Sequence, residues 1–285
     1  MPSKKLSEKD VETLATFLVD RNERTVDLAK EHLKTILRAN PAFRKILENA
    51  ADPQVAHEAR VFLEETRMAD LFQAFQALAR QGHNLDLEQG AYLLAQLAFP
   101  SLTPEDVARP LDRMAEDIDE ILDAEEPAPS EEIQFLRKYL FVEMGFRGNE
   151  KNYYDPDNSF INRVLDRRTG IPISLSLVYL LVAARLDMPA YGVGLPGHFI
   201  VGHGGGKQGV VYIDPYHGGR RLTRNDCIEL VRRRGMAFQE AFLEPTPNYQ
   251  ILARMIVNLM TIYTERGAAA RAQWLGRLVP LFQEG

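Results

Sequence analysis

From about Ser7 to Arg80 the apolar residues recur at intervals of three and four: Leu14, Phe17, Leu18; Leu28, Leu33, Ile36, Leu37; Val55, Ala59, Phe62, Leu63; Leu71, Phe72, Phe75, Leu78. That spacing puts them on one face of successive amphipathic helices, so an all-helical stretch is expected. A second helical pattern spans Leu85 to Leu122, broken at Phe99–Pro104, where Thr103 can cap a helix carrying Pro104 in its first turn. The run AEEPAPSEE, Ala124 to Glu132, is acidic and carries two prolines, and it reads as an exposed linker. Helix resumes at EEIQFLRKYLFVEM and stops at Gly145.

The pattern changes after Gly145. Asn158 or Ser159 is expected to cap a helix through Asp166, which Thr169-Gly170 ends. Pro172 suits the first turn of the next helix, Ile173 to Leu186, which is apolar almost all round and is therefore expected at the centre of its domain. Three short segments, AYGVGL, HFIVGH and GVVYID, have strand character, the last two joined by a loop around Gly204–Gln208. NDCIELVRRR reads as a helix, and the tail from Pro247 to Glu284 as two more.

The segments VDRNERTVDLAKEHLKTIL and ADPQVAHEARVFLEET each read as a polar or proline turn followed by a helix. The pattern is similar to paired-helix repeats of the HEAT type, with a plain helical bundle as the alternative. Composition narrows the function classes. The 285 residues carry a net charge of -6, which gives no basic footprint for nucleic acid or anionic lipid. A single cysteine, Cys227, allows no internal disulfide and no cysteine zinc cluster. The beginning of the chain lacks the apolar core of a signal peptide, and no run is apolar enough to span a membrane. A cytoplasmic protein is expected.

The candidate chemistry lies on the buried helix and the hairpin. Ser174, Ser176 and Tyr179 are the polar side chains in the helix's first two turns. Each serine either bonds a nearby carbonyl or faces a site at the positive end of the helix dipole. His198 and Asp214 are equidistant from Gly206. A hairpin centred there sets them opposite one another on one sheet face, where the carboxylate can orient the imidazole. DPDNS is not a calcium loop, because position six is Phe160 and position twelve is Asp166. His198, His203 and His217 have no ligand at helical spacing, and His203 and His217 fall in glycine-rich turns, so no metal and no cofactor is expected. GHGGG lacks the G-K-[ST] of a phosphate loop.

The ordered series GFRGN…YYDPDNSFINRVLDRRTGIPISLSLVYL…GVGLPGHFIV…YIDPYHGG, within Leu85 to Leu222, resembles the bacterial Sir-B type family. That family is described as transglutaminase-like, tetratricopeptide-bearing regulators of sirC expression. The resemblance implies an α+β protein with a papain/transglutaminase-like core, a buried helix against an antiparallel sheet. Together with the helical period before Leu85, it divides the chain into a helical region at 1–84, a core with helical lead-in at 85–244, and a tetratricopeptide-like helix pair at 245–285. It also implies that His198 and Asp214 are two triad members, with a cysteine at the start of the buried helix as the third. That cysteine is missing: Pro172 or, in a looser alignment, Ser174 takes its position. Asn149, Tyr154, Asn158, Asn162 and Tyr179 are candidates to line a groove, some of them explained equally well by local turn hydrogen bonds. Two functions follow. One is a non-catalytic module that binds a peptide or protein beside His198. The other is an amide or ester hydrolase or acyl transferase with Ser174, or alternatively Ser176, as nucleophile, His198 as base and Asp214 orienting it.

Overall fold

The computed structural model describes residues 7–128, 131–204 and 209–283. The chain divides into two units, residues 1–73 and 74–285, with the boundary inside one long helix. The first unit is helical: α1 (Glu8–Thr16), α2 (Glu23–Ala39), the short α3 (Arg44–Glu48) and the first part of α4 (Pro53–Ala79). Ser7 caps α1 in a reciprocal capping box with Asp10, and Asn22 caps α2 through the Arg24 N–H. Of the apolar positions read from the sequence, Leu18, Leu33, Ile36, Val55, Ala59, Phe62 and Leu63 close on one core with Val11 and Leu47, whereas Phe17 and Leu28 are exposed. Each large side chain of that core contributes ~1.5–3 kcal/mol by leaving water.

The second unit is α+β. Its helices are α5 (Leu87–Gln96), α6 (Pro104–Glu125), α7 (Glu132–Lys138), α8 (Ile161–Arg167), α9 (Pro172–Arg185), α10 (Arg224–Arg232), α11 (Asn248–Glu265) and α12 (Ala269–Gly276). Thr103 caps α6, with Asp106 returning the hydrogen bond and Pro104 in the first turn, as the sequence dictates. The two-residue strands β1 (Arg147–Gly148) and β2 (Thr169–Gly170) pair in parallel ahead of α9. The main sheet is an antiparallel meander of β3 (Ala190–Val193), β4 (Ile200–Gly204), β5 (Val210–Asp214) and β6 (Arg220–Leu222). β6 is not signalled in the sequence. It is three residues long and two are exposed arginines, so it shows no apolar alternation.

Pleat alternation assigns the sheet's two faces. Ile200, Tyr212 and Leu222 cluster with Cys227 and Val231 of α10. His203, of opposite parity on β4, sets its ring perpendicular to that of Tyr179 on α9, centroids 5.9 Å apart. α9 is buried nearly all round, because the sheet, α6, α8 and α11 all touch it. The tail helices pack within this unit: Trp274 and Phe282 meet Phe75 edge-on, and Leu252 sits against Gly90.

Two expectations are corrected. β4 and β5 pair Val201 with Ile213 and Gly202 with Tyr212, a register displaced by two residues from one centred on Gly206. The loop residues 205–208 lie outside the described residues. A displacement of two preserves side-chain parity where a displacement of one would have reversed it. The residue preceding α8 is Phe160, not Asn158 or Ser159. Asn158 instead ends a 3₁₀ turn, Pro156–Asn158, capped by Asp155.

Candidate functional site

His198 precedes β4 and stands outside the strand. The chain turns at Gly197, with φ of +68°, and the His198 N–H returns to the Leu195 carbonyl at 3.1 Å. Arg254 of α11 pins this turn from outside the sheet. Its guanidinium donates to the carbonyls of His198 at 2.7 Å and Leu195 at 2.9 Å, and lies over the Phe199 ring. Burial lowers the Arg254 pKa from its ordinary value.

Asp214 ends β5 and is 2 % exposed. Its Oδ2 lies 2.9 Å from Nε2 of His198 and 2.7 Å from Nδ1 of His217, and its Oδ1 accepts the backbone N–H groups of Tyr216 and His217. Burial opposes ionisation of this carboxyl. The hydrogen bonds and charge of His198, then those of His217, outweigh it and hold the carboxyl below the usual carboxylate range. His198 and Asp214 thus meet as diagonal neighbours across the observed register, a separation that a long side chain spans. Nδ1 of His198 makes no hydrogen bond among the described residues.

The serines lie elsewhere. The Ser174 hydroxyl donates to the Asn158 carbonyl at 2.6 Å and accepts the Ile171 N–H at 3.1 Å, closing the first turn of α9. Ser176 is directed at the Phe199 carbonyl, 3.5 Å away. Both are fully buried, and neither bonds to His198 among the described residues. Cys227 is buried in α10, and burial, with the charges of Asp226 and Asp214, pushes its thiol up to about 12.

The groove candidates separate in the same way. Asn149 lines a cleft of about 690 Å³ together with Arg147, Gly148, Lys151, Tyr216 and His217. Its amide donates to Asn158 Oδ1, and Asn158, wholly buried, donates to the carbonyls of Asn152 and Tyr153. Tyr154 is exposed and stands edge-on to Tyr153, which continues to Tyr216 and on to His198. Gly148 is required where Tyr216 crosses β1, since a Cβ there would lie 2.6 Å from the ring. Tyr179 is enclosed by Phe141 and His203, and Asn162 has a buried carbonyl oxygen without a partner. Asp155 and Asp157 of the DPDNS segment pair with Arg167, and Asp157 also with Arg163.

Sequence reasoning set His217 aside and passed over Arg254. The signal for His217 was local: an aspartate followed by two N–H groups within its reach forms an Asx-type turn, which brings the side chain three residues on back to the carboxylate. Nothing local could have announced Arg254, which reaches His198 from 56 residues away. His203, expected in a turn, lies in β4 with both ring nitrogens buried and unpartnered, and burial lowers its pKa to about 4.

Among known proteins, the chain is 38% identical to a UPF0162 protein of Xylella fastidiosa over 158 residues, 51% of this chain and 55% of the relative. A UPF0162 protein of Pseudomonas aeruginosa is 33% identical over 64% of this chain and 66% of its own length. The F-box only protein 21 of Mus musculus is 32% identical over 54% of this chain and 25% of its own. The chain spans about half the length of the first curated relatives it matches. No solved structure gives a significant match. Among the described residues no helix is long and apolar enough to cross a membrane. Residues 105–257, more than half of the chain and including His198, Asp214 and the whole of α9, match the family model, and the chain belongs to the transglutaminase-like superfamily.

Proposed function

We propose that this protein is a transglutaminase-like module that has kept the His–Asp pair and lost the nucleophile, and that it binds a peptide or protein segment in the cleft beside His217 and Tyr216. One observation carries the reading. The Ser174 hydroxyl has the backbone carbonyls of Asn158 and Ile171, and not His198, as its acceptors among the described residues, and the only cysteine is buried in α10 with its thiolate disfavoured. A hydroxyl without a base in reach is a poor nucleophile. The cleft supplies what a peptide needs: the Tyr216 ring, backed by Tyr153 edge-on, for a side chain, and Arg147 and Lys151 at its wall as donors to carbonyl or carboxylate groups.

The finer assignments belong to the same proposal. The motif series favours a Sir-B type regulator, with HEAT-like helices in the first unit and a tetratricopeptide-like α11–α12 pair as partner-presenting surfaces. The single cysteine favours the reducing cytoplasm. The serine hydrolase is the less favoured reading. Serine- and cysteine-directed acylating probes on the purified chain and on His198→Ala, read by mass spectrometry, are expected to give no adduct that depends on His198. An adduct on Ser174 or Ser176 that disappears in the variant would overturn the proposal. Displayed peptides selected on the wild type are expected to lose binding to Lys151→Ala, which removes a charged donor from the cleft wall; selection of none, or retention by that variant, counts against the cleft.

A further inference from the structure

We propose that His198 Nε2, Asp214 Oδ2 and His217 Nδ1 form a binding site for one divalent first-row transition metal, of which zinc is the probe of choice. The three atoms lie within 4.8 Å of one another, and the two ring nitrogens converge on the same carboxylate oxygen. Two imidazole nitrogens and one carboxylate oxygen suit zinc and its first-row neighbours, whereas calcium and magnesium require mostly oxygen. Three protein donors leave at least one coordination position open, the arrangement of sites that accept water or a ligand group and not of closed structural sites.

The groups behind the donors are already in place. Oδ1 of Asp214 is fixed by the Tyr216 and His217 N–H groups, which turns Oδ2 toward the two rings. The His198 turn is held by Arg254 through two carbonyls. Support of this kind orients ligands and raises metal affinity. Access is provided for as well: Asp214 and His198 are buried, but the His217 side chain is 49% exposed and lines the cleft. The competing account is a plain hydrogen-bond network, in which both rings donate N–H to Oδ2. The two accounts exclude each other, because a nitrogen that donates to Asp214 cannot at the same moment be a metal ligand.

The site goes beyond the peptide-binding reading and stands or falls separately from it. Chelator-treated full-length protein is titrated with Zn(II) against a chromophoric competitor, and with Co(II) by visible absorption. The wild type, His217→Ala and His57→Ala are compared, the last removing an exposed histidine outside the cluster. The expected result is one metal per chain, unchanged in His57→Ala and weakened at least about tenfold in His217→Ala, the scale on which even supporting groups act. His217 lies outside the hydrophobic core, so that variant is expected to fold, and circular dichroism checks it. Absence of one-to-one binding, or equal affinity in wild type and His217→Ala, overturns the proposal.

Discussion

Two buried histidines five residues apart in sequence have opposite surroundings. His198 stands before β4 with a carboxylate at 2.9 Å, a pinned backbone and an exposed second histidine on the same carboxylate. His203 sits within β4, more deeply buried, facing the ring of Tyr179, with no partner for either nitrogen. Burial is common to both and therefore cannot identify a site. The anionic partner separates them: Asp214 makes the imidazole N–H useful at His198, whereas at His203 a proton would be stranded in an apolar layer.

Removing the partner is the strongest way to break the comparison. Asp214→Ala takes away the acceptor of two imidazole groups and two backbone N–H groups at a position that is 2 % exposed. Leaving the buried His198 N–H and the two backbone N–H groups without their acceptor costs about 1–3 kcal/mol for each buried donor, and urea unfolding at pH 7 is expected to show a loss of at least about 3 kcal/mol. The pH dependence has a definite sign. Because the folded-state pKa of Asp214 is depressed, its stabilisation is complete above the unfolded carboxylate range and is lost as pH falls through the folded value. Asp214→Ala is therefore expected to be less sensitive than wild type to acid below about pH 4. Equal stability of the two proteins at pH 7 would remove the anchoring role assigned to Asp214.

At His203 the window is different. Its folded-state pKa, lowered from 6.5 to about 4, makes the neutral ring the stable form. The unfolded chain binds the proton first as pH falls, so stability is full above about pH 6.5 and declines from there to about pH 4. The decline amounts to about 2–3 kcal/mol. His203→Leu, similar in volume and without ring nitrogens, is expected to match or exceed wild type at pH 7 and to lack this portion of the slope. A slope between pH 6.5 and 4 that is the same in both proteins would show that His203 has a proton acceptor after all.

Much of this was legible in the sequence where a period carries the information. The amphipathic helices of the first unit, the buried α9 and the hairpin all follow from spacing, and the parity of His198 and Asp214 survived a register error of two. What could not be read depended on groups brought together from a distance or on elements too short to show a period. β6 has three residues, His217 returns to Asp214 only through the turn, and Arg254 comes from another helix. The serine nucleophile shows a further limit. The position of Ser174 at the start of α9 is compatible with both a cap and a catalytic group, and only the location of the Asn158 carbonyl separates them.

Ser174 therefore supplies the smallest and finest test, a buried polar group with partners but no charge. Ser174→Ala takes the hydroxyl away from the Ile171 N–H and the Asn158 carbonyl and leaves them only their long mutual hydrogen bond of 3.5 Å, in a place that is fully buried. Loss of such a cap costs about 1–2 kcal/mol, less than loss of the Asp214 carboxylate because fewer donors lose their acceptor. The loss is expected to be independent of pH between 5 and 8, since neither partner titrates there. Ser174→Thr keeps the hydroxyl but adds a methyl group beside Gly170, whose own missing Cβ would lie 2.6 Å from the Ser174 oxygen, so it is expected to destabilise by packing. If Ser174→Ala unfolds at the same urea concentration as wild type, the hydroxyl is not holding α9 in place.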